Sequence, residues 1–431
     1  MDDEVFDVAV VGGGVAGCVA AYRLASAGRS VVLIERGEQP GSKNLSGGVF
    51  YCRVMEQVFP GFTDIAPVER RITRNCVSFL NASSSVTVDY WDTRLADPVN
   101  AVSVLRARLD PWLASRCEEA GVFVMPGVRV DGLLRDGAQV VGVRAGDDEL
   151  RARIVILADG ANSFVARDAG IRPSQPAGRL AVGVKSVIGL PRPLLQERFR
   201  LSGDEGVAYA VVGDCTQGVA GGGFLYTNTE SVSVGVVLRL DALVASGLSS
   251  SDVHDHFLQH PALAPLLAGG EPLEYGCHLT IEDGPAMVAG GLTAPGLLIV
   301  GDAAGFTLNT GLTIRGMDLA AGSALAAAAT ADAALVAGDL SAEAMGRYRR
   351  ELDASFVGPD MRTYARAPRF LAQPELYGQV GALTADVLHG VFDLDLTPRT
   401  RLTTTVRRAV KASPLSLRAL GRLALGGMRG L

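Results

Sequence analysis

The sequence predicts an α/β fold built on a dinucleotide-binding unit, and three observations near its start support this prediction. A valine-rich stretch, Asp7–Val11, has the composition of a strand buried in a parallel sheet. The glycine-rich turn Gly12–Gly17 follows directly and leads into a helical stretch. A second apolar strand then ends at Glu35. Strand, glycine turn, helix, strand and acidic residue in this order are typical of a Rossmann-like βαβ unit.

Each part of this unit has a physical role in holding a pyrophosphate. Gly12, Gly14 and Gly17 let the chain turn tightly and bring backbone N–H groups close to phosphate oxygens. Glu35 follows at the distance where a carboxylate accepts hydrogen bonds from the hydroxyls of an adenosine ribose. An acidic residue there argues against a 2′-phosphate and so against NADP. The alternative, an ordinary glycine-rich turn, is disfavoured by the surrounding strand–helix–strand pattern.

Length, charge and cysteine usage exclude several classes of protein. A chain of 431 residues is long for one domain, and its formal net charge of −6 is not that of a general nucleic-acid binder. Its six cysteines show no C-x-x-C spacing, so we expect neither a zinc ribbon nor an iron–sulfur cluster held within the chain. Cysteines without a pattern fit a reducing compartment. The acidic start runs straight into the first strand, which predicts a cytoplasmic protein without a signal peptide.

The middle of the chain predicts a second, largely antiparallel sheet. Alternating residues over Val77–Tyr90 indicate strands, and Asp110 with Pro111 predicts the start of a helix. Four further strand-like segments are bounded by Gly, Asn and Asp: Ala181–Leu190, Gly206–Val212, Gly221–Thr227 and Ser231–Leu240. Three histidines on the next helix, His254, His256 and His260, lack a completing carboxylate or cysteine in the sequence pattern, so we expect no metal there.

A second carboxylate after a buried strand points to a flavin. Leu297–Val300 leads into Gly-Asp-Ala-Ala-Gly, where Asp302 is placed to accept a hydrogen bond from a ribityl hydroxyl. A helix starting near Leu312 would direct its positive end at the ring. A nicotinamide dinucleotide has no ribityl chain and needs no such site, although the segment alone also fits another strand–helix turn. We expect the alanine-rich stretch Leu319–Gly338 to be a buried helix rather than a membrane span.

Several motifs, taken together, resemble one family of flavoproteins. They are VVGGGVAG…VVLIERG, GSKNLSGGVFY, VLRARLDPWL, ILADGANS, GGGFLYTN, HPALAPLLAGG and GDAAGFTLNTGLTIRGMDLA. The chain resembles the FixC-type flavoproteins, relatives of electron-transfer-flavoprotein:quinone oxidoreductases and of geranylgeranyl reductases. The resemblance runs nearly end to end, and the last motif and the GSKN-x-SGG loop are specific to the group.

The resemblance implies FAD bound in a Rossmann-like domain of the p-hydroxybenzoate hydroxylase/glutathione reductase type, followed by a mixed antiparallel β-sheet substrate domain and a helical C-terminus. The cysteine and histidine patterns predict no metal, and no catalytic acid or base is assigned, because packing explains Tyr226 and Cys52 at least as well. The residues that it implies as cofactor contacts are Gly12, Gly14, Gly17, Glu35, Arg36, Ser46, Gly47, Gly48, Arg106, Val130, Asp302, Gly311 and Leu312.

The predicted domains are discontinuous in sequence. We assign residues 1–75, 102–175 and 285–345 to the FAD-binding domain, 76–101 and 176–284 to the β-sheet substrate or partner domain, and 346–431 to the helical C-terminal region. The predicted function is electron exchange through FAD with an electron-transfer flavoprotein, a ferredoxin-like protein or a quinone. The alternative is a small-molecule tailoring enzyme that reduces or forms C=C bonds as geranylgeranyl reductases do, or a monooxygenase-like hydroxylase.

The C-terminal tail is strongly basic. From Leu396 to Leu431 it carries eight Arg or Lys residues and no acidic residue, with leucines between them. This pattern is typical of an interfacial helix and predicts peripheral contact with the inner face of the membrane. The alternative is a helix that packs its leucines on the acidic remainder of the chain.

Overall fold

The computed structural model describes residues 5–42 and 47–430. Nineteen strands lie within these residues: β1 (Phe6–Val11), β2 (Val31–Glu35), β3 (Gly48–Phe50), β4 (Val68–Asn81), β5 (Ser84–Trp91), β6 (Val102–Val104), β7 (Phe123–Pro126), β8 (Gly132–Asp136), β9 (Gln139–Ala145), β10 (Asp148–Leu157), β11 (Leu180–Gly189), β12 (Glu205–Gly213), β13 (Gly221–Thr227), β14 (Ser231–Arg239), β15 (Glu271–Ile281), β16 (Thr293–Ala294), β17 (Leu297–Ile299), β18 (Leu308–Asn309) and β19 (Ile314–Arg315).

The α-helices in the same part of the chain range from single turns to one of 21 residues. They are α1 (Val15–Ser26), α2 (Phe62–Ile65), α3 (Arg106–Glu119), α4 (Phe164–Asp168), α5 (Arg192–Phe199), α6 (Leu240–Ser246), α7 (Ser250–Gln259), α8 (Ala264–Leu267), α9 (Gly284–Val288), α10 (Gly301–Ala304), α11 (Met317–Ala337), α12 (Ala342–Ala354), α13 (Val357–Thr363), α14 (Ala367–Leu371), α15 (Gln379–Phe392), α16 (Leu402–Ala412) and α17 (Leu417–Gly430).

The first sheet is the predicted nucleotide-binding sheet. Its strand order is β16-β17-β10-β1-β2-β7, with the β8–β9 hairpin attached to β10. Strand β1 lies between β2 and β10 and is parallel to both. Its residues from Val8 to Val11 are buried, as the continuous apolar run predicts for a central parallel strand. The carboxyl ends of β1 and β17 therefore meet at one edge, where ligands bind in open α/β sheets.

The second sheet is largely antiparallel, as expected. Its order is β15-β11-β14-β13-β12-β4-β6-β3, with β5 paired to β4, and β12 and β4 are parallel. The predicted stretch Val77–Tyr90 is a hairpin of two strands, β4 and β5. The four predicted segments of the sheet correspond to β11, β12, β13 and β14. The boundary drawn at residue 75 falls inside β4, and the division into domains stays a prediction.

Helix α11 lies in the core of the molecule. It packs against α1 and α12, and 72% of an apolar stretch of 18 residues within it is buried. By length and composition it is the one described helix that could cross a membrane, but burial on this scale is that of a core helix.

Two helix starts differ from the prediction. Helix α3 begins at Arg106 rather than at Asp110, and Pro111 lies inside it. An ion pair between Arg106 and Asp110 joins its first and second turns, so the acidic residue is a partner within the helix and not its cap. Helix α11 begins at Met317 rather than near Leu312, because the short β18–β19 hairpin precedes it.

The C-terminal region is helical, as predicted. Helices α15, α16 and α17 follow one another, with α16 packed on α15 and α17 on α14. With two mixed sheets and a helical C-terminus around a Rossmann-like unit, the predicted fold class is confirmed.

Candidate functional site

The turn between β1 and α1 provides a bare surface of backbone. Gly12 has φ +108°, and a Cβ there would lie 2.3 Å from the carbonyl oxygen of Ala158. Gly14 precedes the first residue of α1, and no described side chain caps that helix end or adds an acidic residue to its first turn. The first N–H groups of α1 are thus left for a ligand, and the helix dipole favours an anionic one.

Glu35 lies at the end of β2, and its carboxylate already has backbone partners. Its two oxygens accept hydrogen bonds from the backbone N–H groups of Gly13 at 2.8 Å and Gly37 at 2.7 Å. Glu35 therefore holds the glycine turn as well as lining the cavity. Each carboxylate oxygen has a second lone pair, so acceptance of a ribose hydroxyl is compatible with these bonds.

Arg106 brings a positive charge to the same turn. Its guanidinium donates two hydrogen bonds of 2.6 Å to Asp110, whose side chain is fully buried. A Cβ on Gly14 would lie 3.4 Å from Nη2 of Arg106, which places the guanidinium beside the helix N-terminus. The pair fixes the orientation of the arginine beside the uncapped start of α1, an arrangement that suits an anionic ligand.

Asp302 lies on α10, directly after β17. Thr307 donates a hydrogen bond from Oγ1 to its carboxylate at 3.3 Å. Burial raises the pKa of Asp302, and the positive charge of Arg106 partly opposes this shift. The carboxyl group is thus held in a poorly solvated position close to Arg106, as expected of a group reserved for a polar ligand.

One cavity connects these groups with the second sheet. Its volume is about 410 Å³, within the range of small-molecule and cofactor sites. Glu35, Arg36, Val130, Arg106 and Asp302 line it together with the glycine turn. The second sheet contributes Lys185, Phe224, Tyr226 and His278 to the same lining.

The structure brings most of the predicted contacts to this cavity. Those that line it are Gly12, Gly14, Glu35, Arg36, Gly47, Gly48, Arg106, Val130 and Asp302. Gly17, Gly311 and Leu312 lie outside its lining, and Ser46 lies outside the described residues. Gly17 instead packs beneath the turn, since a Cβ there would lie 1.8 Å from the carbonyl oxygen of Gly12. Leu312 is 59% exposed.

Three further residues of the cavity carry chemistry that the sequence interpretation did not assign. Lys185 and His278 come from β11 and β15, and only the pairing of these strands places them together. Burial lowers the pKa of His278, and Asp302 partly opposes this. Asp159, which lies in the ILADGANS motif, also lines the cavity, and burial raises its pKa to about 6. The sequence could have indicated this role, because Asp159 follows the end of β10 and precedes Gly160.

The two histidines of α7, and His260 directly after it, contact protein groups that lie apart from one another. His254 contacts Ser186 Oγ at 3.3 Å, His256 contacts Asp214 at 2.7 Å, and His260 contacts the carbonyl of Asn81 at 2.9 Å. Over residues 5–42 and 47–430, no group of three or more His, Cys, Asp or Glu is arranged to hold a metal ion.

The residues of the cavity fit a flavin dinucleotide. The uncapped start of α1 and Arg106 suit a pyrophosphate, and Glu35 and Asp302 are separate carboxylates for two sugar-like chains. Asp159 has a buried oxygen, Oδ1, with no hydrogen-bond partner within the described chain, as expected of an atom that contacts a polar ligand. When bound, FAD supplies hydride and electron transfer, and the protein supplies orientation and electrostatics.

Comparisons with known proteins agree with this fit. Residues 5–196 match the family model described as an FAD binding domain. The chain is 47% identical to "Probable electron transfer flavoprotein-quinone oxidoreductase YdiS" of Escherichia coli (strain K12), over 92% of this chain and 93% of that protein. It is 42% identical to "Protein FixC" of Salmonella typhi, over 92% of each.

Solved structures show the same fold at lower identity. A geranylgeranyl bacteriochlorophyll reductase-like protein from Thermoplasma acidophilum superposes with a TM-score of 0.71 at 21% identity, over 97% of this chain and 99% of that one. The myxobacterial FAD-dependent halogenase CndH superposes with a TM-score of 0.62 at 20% identity, over 99% of this chain and 91% of that one.

Fold, cavity and comparisons together define an FAD-dependent oxidoreductase. The chain is 39–47% identical to these relatives, and the similarity covers about nine-tenths of the length of each relative. The chain belongs to the family of FixC-type flavoproteins.

Proposed function

We propose that this flavoprotein passes electrons between an electron-transfer flavoprotein and a quinone. The observation that carries the proposal is the similarity over 92% of the chain to a protein whose name states that activity. FAD held in the cavity would supply this electron exchange, so a single cofactor cavity suffices. The part of the cavity lined by the second sheet is the proposed place of exchange.

The predicted contacts are proposed as FAD ligands on the basis of their shared cavity. We assign the adenosine end to Glu35, Arg36 and Val130, and the ribityl chain to Asp302. Gly12, Gly14 and Arg106 would hold the pyrophosphate. Gly17 supports the turn from below, and Ser46, Gly311 and Leu312 are proposed on the resemblance alone.

A ferredoxin-like protein is a further proposed partner. Five of the six cysteines are buried, Cys277 is exposed, and no three or more of the described His, Cys, Asp and Glu residues are grouped to hold a metal. An iron–sulfur centre on the electron path would therefore belong to a second protein rather than to this chain.

Anaerobic mixing tests the function directly. The protein with its FAD reduced by dithionite is mixed with oxidised electron-transfer flavoprotein, with a soluble ubiquinone analogue or with a ferredoxin, and FAD absorbance is followed. The proposal expects rapid reoxidation by the flavoprotein and by the quinone. FAD that stays reduced with all three acceptors would contradict it.

A small-molecule tailoring reaction is the second candidate. It is favoured by the TM-score of 0.71 to a geranylgeranyl reductase-like protein and by the aromatic wall of Phe224 and Tyr226. A prenylated diphosphate offered to the reduced protein is the matching test. Loss of a C=C bond together with FAD reoxidation, and no reaction with quinone, would replace the first proposal by this one.

We propose in addition that helix α17 binds an anionic membrane. Its buried side, including Leu423, packs toward α14. Leu417, Leu425 and Met428 are 50–77% exposed and share another side of the helix. Arg418, Arg422 and Arg429 lie along the adjoining side, so an apolar stripe runs beside a basic one. We call Leu417, Arg418, Arg422, Leu425, Met428 and Arg429 the basic C-terminal face.

An interfacial helix needs both features of this face. Apolar side chains enter the acyl boundary while arginines contact anionic headgroups. Arg422 is paired with Glu375, whereas Arg418 and Arg429 have no ion pair within the described part of the chain. Contact at this face would hold a cytoplasmic protein at the inner surface of the membrane, where quinones dissolve.

Flotation with vesicles tests the membrane proposal. The full chain is expected to float with phosphatidylglycerol vesicles and not with phosphatidylcholine vesicles, and salt should release it because charge attraction is screened over about 10 Å at 0.1 M. The double variants Leu417→Ser/Met428→Ser and Arg418→Gln/Arg429→Gln should each lose binding. Val244→Ser, on the exposed side of α6, is the control. A full chain that binds neither lipid would overturn the proposal.

A further inference from the structure

Lys185 lies in the cavity wall made by the second sheet. It is on β11, two residues after Gly183, and Gly183 is directly opposite His278 on β15. Residues two apart on a strand face the same side, so Lys185 and His278 point into the same cavity. On the other neighbour of β11, Lys185 is opposite Gly235, which leaves space for the lysine stem beside Phe224.

The ammonium group of Lys185 has few partners for a buried charge. Nζ donates one hydrogen bond of 2.6 Å to the carbonyl oxygen of Gly47 and lies 5.8 Å from the centroid of the Phe224 ring. No carboxylate lies within 4 Å of it among the described residues, whereas Arg106 in the same cavity is paired with Asp110. An ammonium has three donors, so the protein leaves part of this group for a ligand.

Charged groups face Lys185 from two other elements. They are Arg106 of α3 and the side chains of His278 and Glu274 of β15, and Asp302 of α10 in turn faces Arg106 and His278. Burial and the charge of Arg106 lower the pKa of Lys185 to about 8, and Glu274 partly opposes them. The amine therefore carries its charge at neutral pH and loses it within an accessible range.

We propose that Lys185 is a catalytic residue that lies against the reacting end of FAD and stabilises the negative charge gained there on reduction. Uptake of two electrons and one proton, all supplied by the reductant and the solvent, adds one negative charge to the cofactor. Lys185 keeps its own proton and offsets this charge electrostatically. The inference rests on FAD as the cofactor and not on the identity of the electron partner.

The midpoint potential of the bound FAD tests this role without any partner. Potentials are measured by dye equilibration from pH 6 to pH 10 for the wild type, Lys185→Met and Lys185→Arg. The control is Arg198→Met, which removes a cation that donates to the carbonyl groups of Leu266 and Ala268 away from the cavity.

The expected pattern is specific to a titrating charge at the cofactor. Lys185→Met should have a lower potential than the wild type at pH 6 to 7, and the difference should narrow as the pH rises above 8 and the wild-type amine loses its proton. Lys185→Arg should keep a higher potential than Lys185→Met at every pH, because a guanidinium stays charged. Arg198→Met should match the wild type.

Two outcomes would overturn the proposal. The first is a Lys185→Met protein that keeps its full FAD content and has the wild-type potential at every pH. If its KM for the quinone also rises, the lysine contacts the electron acceptor instead of the cofactor. If Lys185→Met fails to retain FAD, Lys185→Arg decides: a potential that falls below the wild type at pH 6 to 7 contradicts a role of the charge.

Discussion

Glu35 illustrates how one side chain serves both the fold and the proposed ligand. Its carboxylate accepts hydrogen bonds from the backbone N–H groups of Gly13 and Gly37, which ties the nucleotide turn and the loop after β2 to the end of that strand. The same residue lines the cavity, where it is the proposed partner of the adenosine ribose. Charge-assisted hydrogen bonds of this kind are stronger than neutral ones, so loss of the carboxylate should affect the shape of the turn and the ligand together.

Glu35→Ala is expected to weaken FAD binding by about 1.5–3 kcal/mol, the range for a hydrogen bond to a charged group. Titration of FAD into the apoprotein measures this as a loss of tenfold or more in affinity. Glu38→Ala is the matched control, because Glu38 is exposed three residues further on and does not line the cavity. Equal affinities for the two variants would refute the assignment of Glu35.

Asp302→Ala is expected to weaken FAD binding to a similar degree. The carboxyl group is held by Thr307 in a buried position, and its removal leaves a ribityl hydroxyl without a partner. The same titration, with the exposed turn residue Asp147→Ala as control, measures the effect. An Asp302→Ala protein that purifies with full FAD and unchanged affinity would contradict it.

At the residue scale, the sequence predicted the side chains whose roles depend on local context. Glu35 and Asp302 each follow a buried strand, and that position is visible in the sequence. Lys185 and His278 could not be predicted, because they come together only through the register of β11 and β15. Asp110 and Pro111 were interpreted as a helix start, because a proline is common at the first position of a helix. The four-residue spacing between Arg106 and Asp110 also fits an ion pair within a helix, and the sequence did not distinguish the two.

At the element scale, the contact between α1 and the nucleotide turn depends on the absence of a side chain at Gly17. The helix approaches the turn so closely that any Cβ at this position meets the carbonyl of Gly12. The sequence predicted the glycines and the helix, but not that Gly17 acts beneath the turn rather than in the cavity. The predicted start of α11 was wrong because a two-residue hairpin pairing, β18 with β19, is too short to leave a periodic pattern.

Two glycine-to-alanine changes in helices should have opposite effects on stability. Gly17→Ala is expected to lower the free energy of unfolding by about 1–3 kcal/mol through overpacking. Gly346→Ala, in the interior of α12 with open space around it, should raise it by about 0.5–1 kcal/mol. Urea denaturation of the two apoproteins measures both. A stable Gly17→Ala protein would show that the turn tolerates a displaced helix.

At the scale of the whole molecule, two sheets that are each predictable from local patterns enclose a site that belongs to both. The first sheet contributes the glycine turn, Glu35 and Asp302, and the second contributes Lys185, Phe224 and His278. The fold class followed from strand composition and glycine spacing. The shape of the shared cavity did not, because it depends on how the sheets pack.

The cofactor content of the purified chain tests the central claim most directly. Denaturation should release one FAD per chain, held without a covalent bond, because the cavity offers polar contacts along a dinucleotide and iron is expected only on a partner. The account predicts a flavin-to-protein ratio near one and an iron content near zero. A chain that binds no FAD on reconstitution, or that carries stoichiometric iron, would contradict it.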